Sequence, residues 1–147
     1  MFANVGCLLT LANRDLTMEL FSVKVSPLHP DLSGLYQQLD IHEHSFNSER
    51  KAIQALRKIT PDLVVADFIY GYGNNYAGVN VSNLDVLLYS LQKSAPHAKV
   101  FLLCEKTEIE YTEKLPEVVT IQSQYLYPLN QNIFREDLAA VLNDLAT

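Results

Sequence analysis

A single carboxylate, Asp67, stands where an apolar stretch of the sequence passes into a loop rich in Gly, Asn and Tyr. The stretch PDLVVADFIYGYGNNYAG covers residues 61 to 78, and its composition changes at Asp67. An aspartate at the end of a buried strand can act as a reactive carboxylate that accepts a group covalently. The alternative is a strand-end acid that only accepts hydrogen bonds from nearby backbone N–H groups.

Alternating strands and helices must position Asp67. Apolar, β-branched segments alternate with amphipathic helical segments from residue 20 onward, which predicts a parallel sheet with helices on both faces. We therefore predict an α/β fold, a doubly wound five-stranded parallel sheet with helices in a layer on each face. Functional sites in such sheets lie at the carboxyl ends of the strands. The five predicted strands end at Ser26, Phe46, Asp67, Cys104 and Tyr127.

Several helix starts carry residues that suit a helix N-terminus. Ser, Asn and Asp side chains accept hydrogen bonds from the first N–H groups of a helix, and Pro suits the first helical position. The predicted starts are Pro30 for the first helix, a Ser48 cap for the second, a Ser82 or Asn83 cap for the third and an Asn130 or Asn132 cap for the last.

Two strands are predicted near the N-terminus, at residues 4–11 and 18–26. The β-rich segment FSVKV favours residues 18–26 as the first core strand, with residues 4–11 as an added strand. The rival register makes residues 4–11 the first core strand, places Asp15 near the site and makes residues 16–25 helical. We predict an N-terminal strand extension over residues 1–17 and one domain over residues 18–147.

Composition excludes some classes of function. The chain has 147 residues, a formal net charge of -6 and 11 scattered Lys and Arg, so a nucleic-acid-binding face is not expected. Cys7 and Cys104 both lie in apolar runs, which favours reduced thiols and a cytoplasmic protein over a disulfide. The early apolar run VGCLLTLA is too short to span a bilayer, and no signal peptide or membrane association is expected.

The order of elements resembles that of a response-regulator receiver domain of the CheY-like superfamily. KAIQALRKITPDLVVADF is similar to the second helix and third strand of that family, KVFLLCE to the fourth strand, and YLYP to the end of the fifth. The resemblance covers roughly residues 20–147. It implies two-component signalling, with Asp67 as the phospho-acceptor and Mg²⁺ bound beside it.

Three positions depart from the receiver pattern. The family has acids after its first strand, whereas Ser26 and its neighbours carry none. Cys104 stands where the family has Thr or Ser, and Tyr127 stands where it has Lys. A thiol is a weak donor and a tyrosine has no positive charge at neutral pH. Tyr125 is the best candidate for the family's aromatic switch residue.

Three other features could carry a function. The long loop after Asp67 has tyrosines on a Gly- and Asn-rich backbone, a mixture common in recognition surfaces. His42 and His44 would share one face of a strand, but a metal site needs a further ligand such as His29 or Glu49, so we predict no metal site. Asp31 is interpreted as a charge in the first turn of a helix rather than as a ligand. The candidate interaction residues of the loop are Tyr70, Tyr72, Asn74 and Tyr76.

The leading hypothesis is a non-catalytic, receiver-like signalling or scaffold module, a pseudo-receiver that acts through a protein partner or a homodimer and needs no cofactor. Its contact face, by resemblance, is formed by helix 107–115, the strand VTIQSQYLY and the last helix, with Tyr111, Ile133 or Phe134 exposed. The alternative is a phospho-accepting receiver in which Asp67 and an acid such as Asp15 or Glu105 bind Mg²⁺. A third hypothesis is a small flavodoxin-like ligand-binding protein or enzyme with Cys104 as nucleophile.

Overall fold

The structure, a computed structural model, describes residues 17–71 and 82–146. Within them, five strands form one sheet in which every pair is parallel, in the order β2-β1-β3-β4-β5. The predicted doubly wound α/β fold is confirmed, and the predicted strand at residues 4–11 lies outside the described residues. The strands are β1 (Met18–Val23), β2 (Ile41–Phe46), β3 (Leu63–Asp67), β4 (Lys99–Cys104) and β5 (Thr120–Leu126).

Helical segments follow the strands, and two of them differ in detail from the prediction. The acidic segment TEIEYTEKL lies in a 3₁₀ helix rather than an α-helix. The first helix begins at Ser33 and not at Pro30; Asp31 lies ahead of it, where its Oδ1 accepts the Ser33 N–H at 3.1 Å. The helices are α1 (Ser33–Gln38), α2 (Glu49–Ala55), α3 (Asp85–Ser94), the 3₁₀ helix (Lys106–Lys114) and α4 (Gln131–Ala146).

Two of the predicted caps lie at the helix starts. The Ser48 hydroxyl accepts the Lys51 N–H at 3.2 Å and caps α2. Asn130 Oδ1 accepts the N–H groups of Asn132 and Ile133 at 3.0 and 3.2 Å at the start of α4. Both caps are local contacts within one turn of a helix, which is why the sequence predicts them.

Two apolar cores cover the two faces of the sheet. The α2, α3 and 3₁₀ helices pack on one face, and α1 and α4 pack on the other. All five residues of β3 are buried, as expected for a strand covered on both faces. Phe134 belongs to the second core and is 0% exposed, so its predicted place on an exposed face is wrong.

β1 lies between β2 and β3 and pairs with both. Its residues Leu20, Phe21 and Val23 are 0% exposed. This position makes residues 18–23 the first core strand, so the rival register with a helix over residues 16–25 is wrong. The same position brings the end of β1 beside the end of β3, where Asp67 lies.

Candidate functional site

The carboxyl ends of β1, β3 and β4 meet at one edge of the sheet around Asp67. Asp67 is the last residue of β3 and lies opposite Leu103 of β4 in the register. Its side chain is 0% exposed. A charged or polar group buried to this extent is stable only when it is fully hydrogen-bonded, so the partners of the carboxylate define the site.

The chain leaving β1 supplies the partners of one carboxylate oxygen. Asp67 Oδ2 accepts the backbone N–H groups of Val25 and Ser26, each at 2.9 Å. In this stretch the receiver family has acidic side chains that hold Mg²⁺, whereas here two N–H donors point at the carboxylate. Because a cation needs oxygen ligands and not N–H donors, these residues do not fit a receiver-type Mg²⁺ site.

The other carboxylate oxygen has two side-chain partners. Asp67 Oδ1 lies 2.9 Å from His29 Nδ1 and 2.5 Å from the Tyr127 hydroxyl, which donates to it. The His29 side chain is only 2% exposed, and its buried Nε2 has no hydrogen-bond partner among the described residues. With two donors on each oxygen, the roughly four acceptor positions of a carboxylate are filled from within the domain.

A tight turn brings His29 to Asp67. The His29 N–H donates to the Ser26 carbonyl at 3.1 Å, with Pro27 at the second position, where Pro is favoured in such a turn. The Ser26 hydroxyl accepts the Leu28 N–H at 3.1 Å and so stabilises the same turn. Ser26, predicted as a pocket position, thus contributes its backbone N–H to Asp67 and its side chain to the turn.

Tyr127 and Cys104 are both held in their protonated forms at neutral pH. Burial, together with the hydrogen bond to Asp67 and the charge of Asp67, raises the pKa of the Tyr127 hydroxyl far above its usual value. Burial, with a smaller contribution from the charge of Glu108, raises the pKa of the Cys104 thiol to about 11. Tyr127 is therefore a hydrogen-bond donor, and Cys104 packs in the core as a neutral thiol without the activation that a nucleophile needs.

A small pocket of about 190 Å³ opens beside Tyr127. Of the described residues that line it, two are acids, Glu105 and Glu108, and none is Lys or Arg. A phosphoryl group in this pocket would meet two negative charges without a neighbouring positive one, which opposes its binding. The described lining residues are Val25, Ser26, Pro27, Phe68, Ile69, Glu105, Glu108 and Tyr127.

Asn83 hydrogen-bonds the backbone at the point where the chain leaves β3. Its Nδ2 donates to the Asp67 carbonyl at 2.9 Å and to Glu49 Oε2 at 2.6 Å, and its Oδ1 accepts the Ile69 N–H at 2.7 Å. This role differs from the predicted cap, because α3 begins only at Asp85. Ser82, the other predicted cap, accepts the N–H of Leu84 through its hydroxyl at 3.0 Å.

Tyr70 is the one of the four candidate interaction residues in the loop that the structure describes. Its ring stacks on Tyr111 of the 3₁₀ helix, with 3.9 Å between ring centroids, and Lys114 lies over both rings. Its N–H donates to Glu108 Oε1 at 3.1 Å. Tyr70 is nonetheless 40% exposed. The other predicted residues of the loop, Tyr72, Asn74 and Tyr76, lie outside the described residues.

Two further predicted positions lie away from Asp67. The Tyr125 hydroxyl donates to Asp137 Oδ2 at 2.6 Å, and its ring packs edge-on against Phe134, so this candidate switch residue is held against α4. A hydrogen bond from the Ser33 backbone lowers the pKa of the exposed Asp31, which lies at the start of α1. Asp15, the acid suggested for a Mg²⁺ site, lies outside the described residues.

The structure brings Asp67, Ser26 and Tyr127 into contact, places Cys104 in the core at the end of β4, and adds His29 and Asn83 as partners of Asp67. Sequence reasoning missed both of the added residues as partners of Asp67. His29 follows a Pro-containing turn directly after β1, and a polar residue in that position at the carboxyl edge was the available signal.

Solved structures of similar fold identify the class of architecture. The chain is similar to a CheY-like response regulator receiver domain protein from Methanospirillum hungatei, at 10% identity and a TM-score of 0.67, over 88% of this chain and 97% of that one. It is similar to the REC domain of the response regulator AraT from Geobacillus stearothermophilus, at 13% identity and a TM-score of 0.67, over 88% and 96% of the two chains.

A third similar structure is the signal receiver domain of an HD domain-containing protein from Pseudomonas fluorescens. It shares 16% identity at a TM-score of 0.66, over 88% of this chain and 98% of that one. At these identities the likeness shows the fold, and the chain has the fold of response-regulator receiver domains.

Neither the protein-family models nor the curated protein sequences contain a match to the chain. Among the described residues, no helix is long and apolar enough to cross a membrane.

Proposed function

We propose that this chain is a receiver-like signalling module that acts through protein–protein contacts, and that Asp67 does not accept a phosphoryl group. The fold supports the first part, and the filled hydrogen-bonding positions of Asp67 carry the second. Both oxygens of the carboxylate already have two donors each, and the side chain is 0% exposed. Asp67 then acts as a structural link between the ends of β1, β3 and β5.

The energetic cost of phosphorylation supports this view. An attack by Asp67 on a phosphoryl donor requires one carboxylate oxygen to lose its partners and to reach solvent. Each hydrogen bond to a charged group contributes about 1.5–3 kcal/mol. Exposing Oδ1 breaks the contacts with His29 and Tyr127, and the described residues beside the pocket provide no Lys or Arg to offset the added negative charge.

The experiment is a titration of the protein with beryllofluoride and Mg²⁺, followed through amide NMR shifts. Beryllofluoride mimics an aspartyl phosphate without the transfer step. We expect no saturable, Mg²⁺-dependent shifts at the backbone N–H groups of Val25, Ser26 and Phe68. Acetyl phosphate with Mg²⁺ should likewise produce no added mass in the intact protein.

The Asp67→Asn variant is the control for both measurements, because it replaces the nucleophilic carboxylate with an amide that does not accept a phosphoryl group. A Mg²⁺-dependent shift or a mass increase that disappears in Asp67→Asn contradicts the proposal. That result supports the alternative, a phospho-accepting receiver in which Asp67 and an acid such as Asp15 or Glu105 form an atypical Mg²⁺ site.

The open edge strand β5 supports the proposed protein contacts. None of its residues is fully buried, and its outer backbone groups have no neighbouring strand among the described residues. Leu126, the last residue of β5, is 39% exposed, and Ile133 on α4 is 51% exposed. An edge strand flanked by exposed apolar residues is a common site of association.

The homodimer form of this proposal is tested by sedimentation. If a dimer forms through this face, Ile133→Glu shifts the sedimentation coefficient toward that of a monomer. The matched control is Val86→Glu, since Val86 is 55% exposed on α3, which covers the opposite face of the sheet. A dimer that both variants leave intact contradicts this choice of interface.

A further inference from the structure

Two imidazoles and one carboxylate converge near the amino end of β1 and β2, at the opposite edge of the sheet from Asp67. Glu19 lies on β1 and pairs in register with His42 of β2, and His44 follows two positions further along the same face. In the part of the chain that the structure describes, this is the one group of at least three His, Cys, Asp or Glu side chains close enough to share a metal ion.

The distances place all three ligand atoms around a single point. His42 Nδ1 lies 3.1 Å and His44 Nε2 lies 2.6 Å from the same oxygen, Glu19 Oε1. The candidate ligand atoms all lie within 4.8 Å of one another. Bonds of about 2.0–2.1 Å in a tetrahedral zinc site put neighbouring ligand atoms about 3.3 Å apart. The ligand atoms must move by about 1 Å or a little more to reach the tetrahedral spacing, and rotation of surface side chains permits a movement of this size.

We propose that Glu19, His42 and His44 form a binding site for Zn²⁺ or a similar transition-metal ion. His44 Nε2 is hydrogen-bonded to Glu19 Oε1, and His42 Nδ1 lies 3.1 Å from the same oxygen, so one cation can bind among the three atoms in place of the proton that His44 shares with Glu19. Imidazole and carboxylate ligands suit zinc, whereas Mg²⁺ and Ca²⁺ prefer oxygen ligands alone. With three protein ligands, a fourth coordination position stays open for water.

The surroundings of the site favour binding. The His44 ring is held edge-on against the buried ring of Phe21, at 5.7 Å between centroids, which limits its rotation. The His42 side chain is 60% exposed and the Glu19 side chain 31% exposed, so an ion reaches the site from solvent. The formal charge of -6 also attracts cations to the protein surface.

The position of the other two histidines makes the test specific. The chain has four histidines. His29 is buried against Asp67 at the far edge of the sheet, and His97 is exposed outside the cluster.

Zn²⁺ is added to the protein at neutral to mildly alkaline pH, and the imidazole resonances of all four histidines are followed by NMR. We expect saturable changes at His42 and His44 with one equivalent of Zn²⁺, and none at His29 or His97.

Variants then measure the contribution of each ligand by isothermal titration with Zn²⁺. Loss of supporting groups around a metal typically lowers affinity by about 10–100-fold, so we expect at least a tenfold loss for His42→Ala and for Glu19→Gln. The matched control, His97→Ala, should bind as tightly as the unaltered chain. Circular dichroism checks that each variant is folded.

Two results would overturn the proposal. One is that His42 and His44 do not respond to an excess of Zn²⁺, whether or not the ion binds elsewhere on the chain. The other is that His42→Ala and Glu19→Gln bind Zn²⁺ as tightly as His97→Ala does. The NMR titration uses the unaltered protein and decides the question even if a variant fails to fold.

Discussion

Replacing Asp67 with alanine tests whether this carboxylate is a structural link. The substitution removes the acceptor from two backbone N–H groups, from His29 and from the Tyr127 hydroxyl. The Tyr127 hydroxyl has a second acceptor, the Leu103 carbonyl at 3.3 Å. The other three donors have no alternative acceptor among the contacts of the described residues.

The expected loss of stability in Asp67→Ala follows from the donors that lose their acceptor. A buried donor left without its partner costs about 1–3 kcal/mol, and single substitutions rarely cost more than about 4–5 kcal/mol because the site relaxes or admits water. We therefore expect Asp67→Ala to lower the free energy of unfolding by about 3–5 kcal/mol, a large part of the roughly 5–15 kcal/mol typical of a domain. Asp67→Asn keeps one oxygen for the two backbone N–H groups, so a smaller loss of about 1–3 kcal/mol is expected.

The assay is urea unfolding followed by far-ultraviolet circular dichroism, which suits a chain without tryptophan. Glu117→Ala is the matched control, because Glu117 is an exposed acid and its replacement should leave the midpoint almost unchanged. A loss below about 1 kcal/mol for Asp67→Ala would refute the reasoning, because it would mean that the hydrogen bonds of this carboxylate contribute little. If the hydrogen bonds of Asp67 are that weak, the main argument against its phosphorylation is also lost.

Two further predictions concern the core. Phe134→Ala should lower the free energy of unfolding by about 3–5 kcal/mol, because the ring fills the core between β4 and α4. Ile133→Ala, at an exposed position, should change the free energy of unfolding by less than about 0.5 kcal/mol. Equal effects of the two substitutions in urea unfolding would show that the buried and exposed faces of α4 are misassigned. In a Cys7→Ser background, Cys104 should react with a thiol reagent more slowly than a free thiol at neutral pH, and faster as the pH rises toward its pKa of about 11, because the thiolate is the reactive form. Reaction at the rate of a free thiol would contradict the buried, protonated state of Cys104.

The sequence by itself determined the class of fold. The continuous apolar run of LVVAD predicts a strand covered on both faces, and alternation with helical segments predicts parallel pairing. The caps at Ser48 and Asn130 were also predictable, since each contact lies within a few residues of the chain. These features depend on periodicity and on local hydrogen bonds, which a single sequence displays directly.

Helix orientation and exact helix starts depended on packing. Ile133 and Phe134 are neighbours on α4, and which of them faces the sheet depends on how the helix docks. The sequence placed both on a possible contact face, but only Ile133 is exposed. The start of α1 at Ser33 likewise depends on the side-chain contact of Asp31, which competes with the helical start expected at Pro30.

The partners within each site were decided by the tertiary structure. Asp67 and Tyr127 were predictable neighbours because the carboxyl ends of parallel strands meet at one edge of the sheet. His29 reaches Asp67 only because a turn reverses the chain after β1. Glu19 joins His42 and His44 only because β1 and β2 pair in one particular register, which a sequence pattern of period two does not specify.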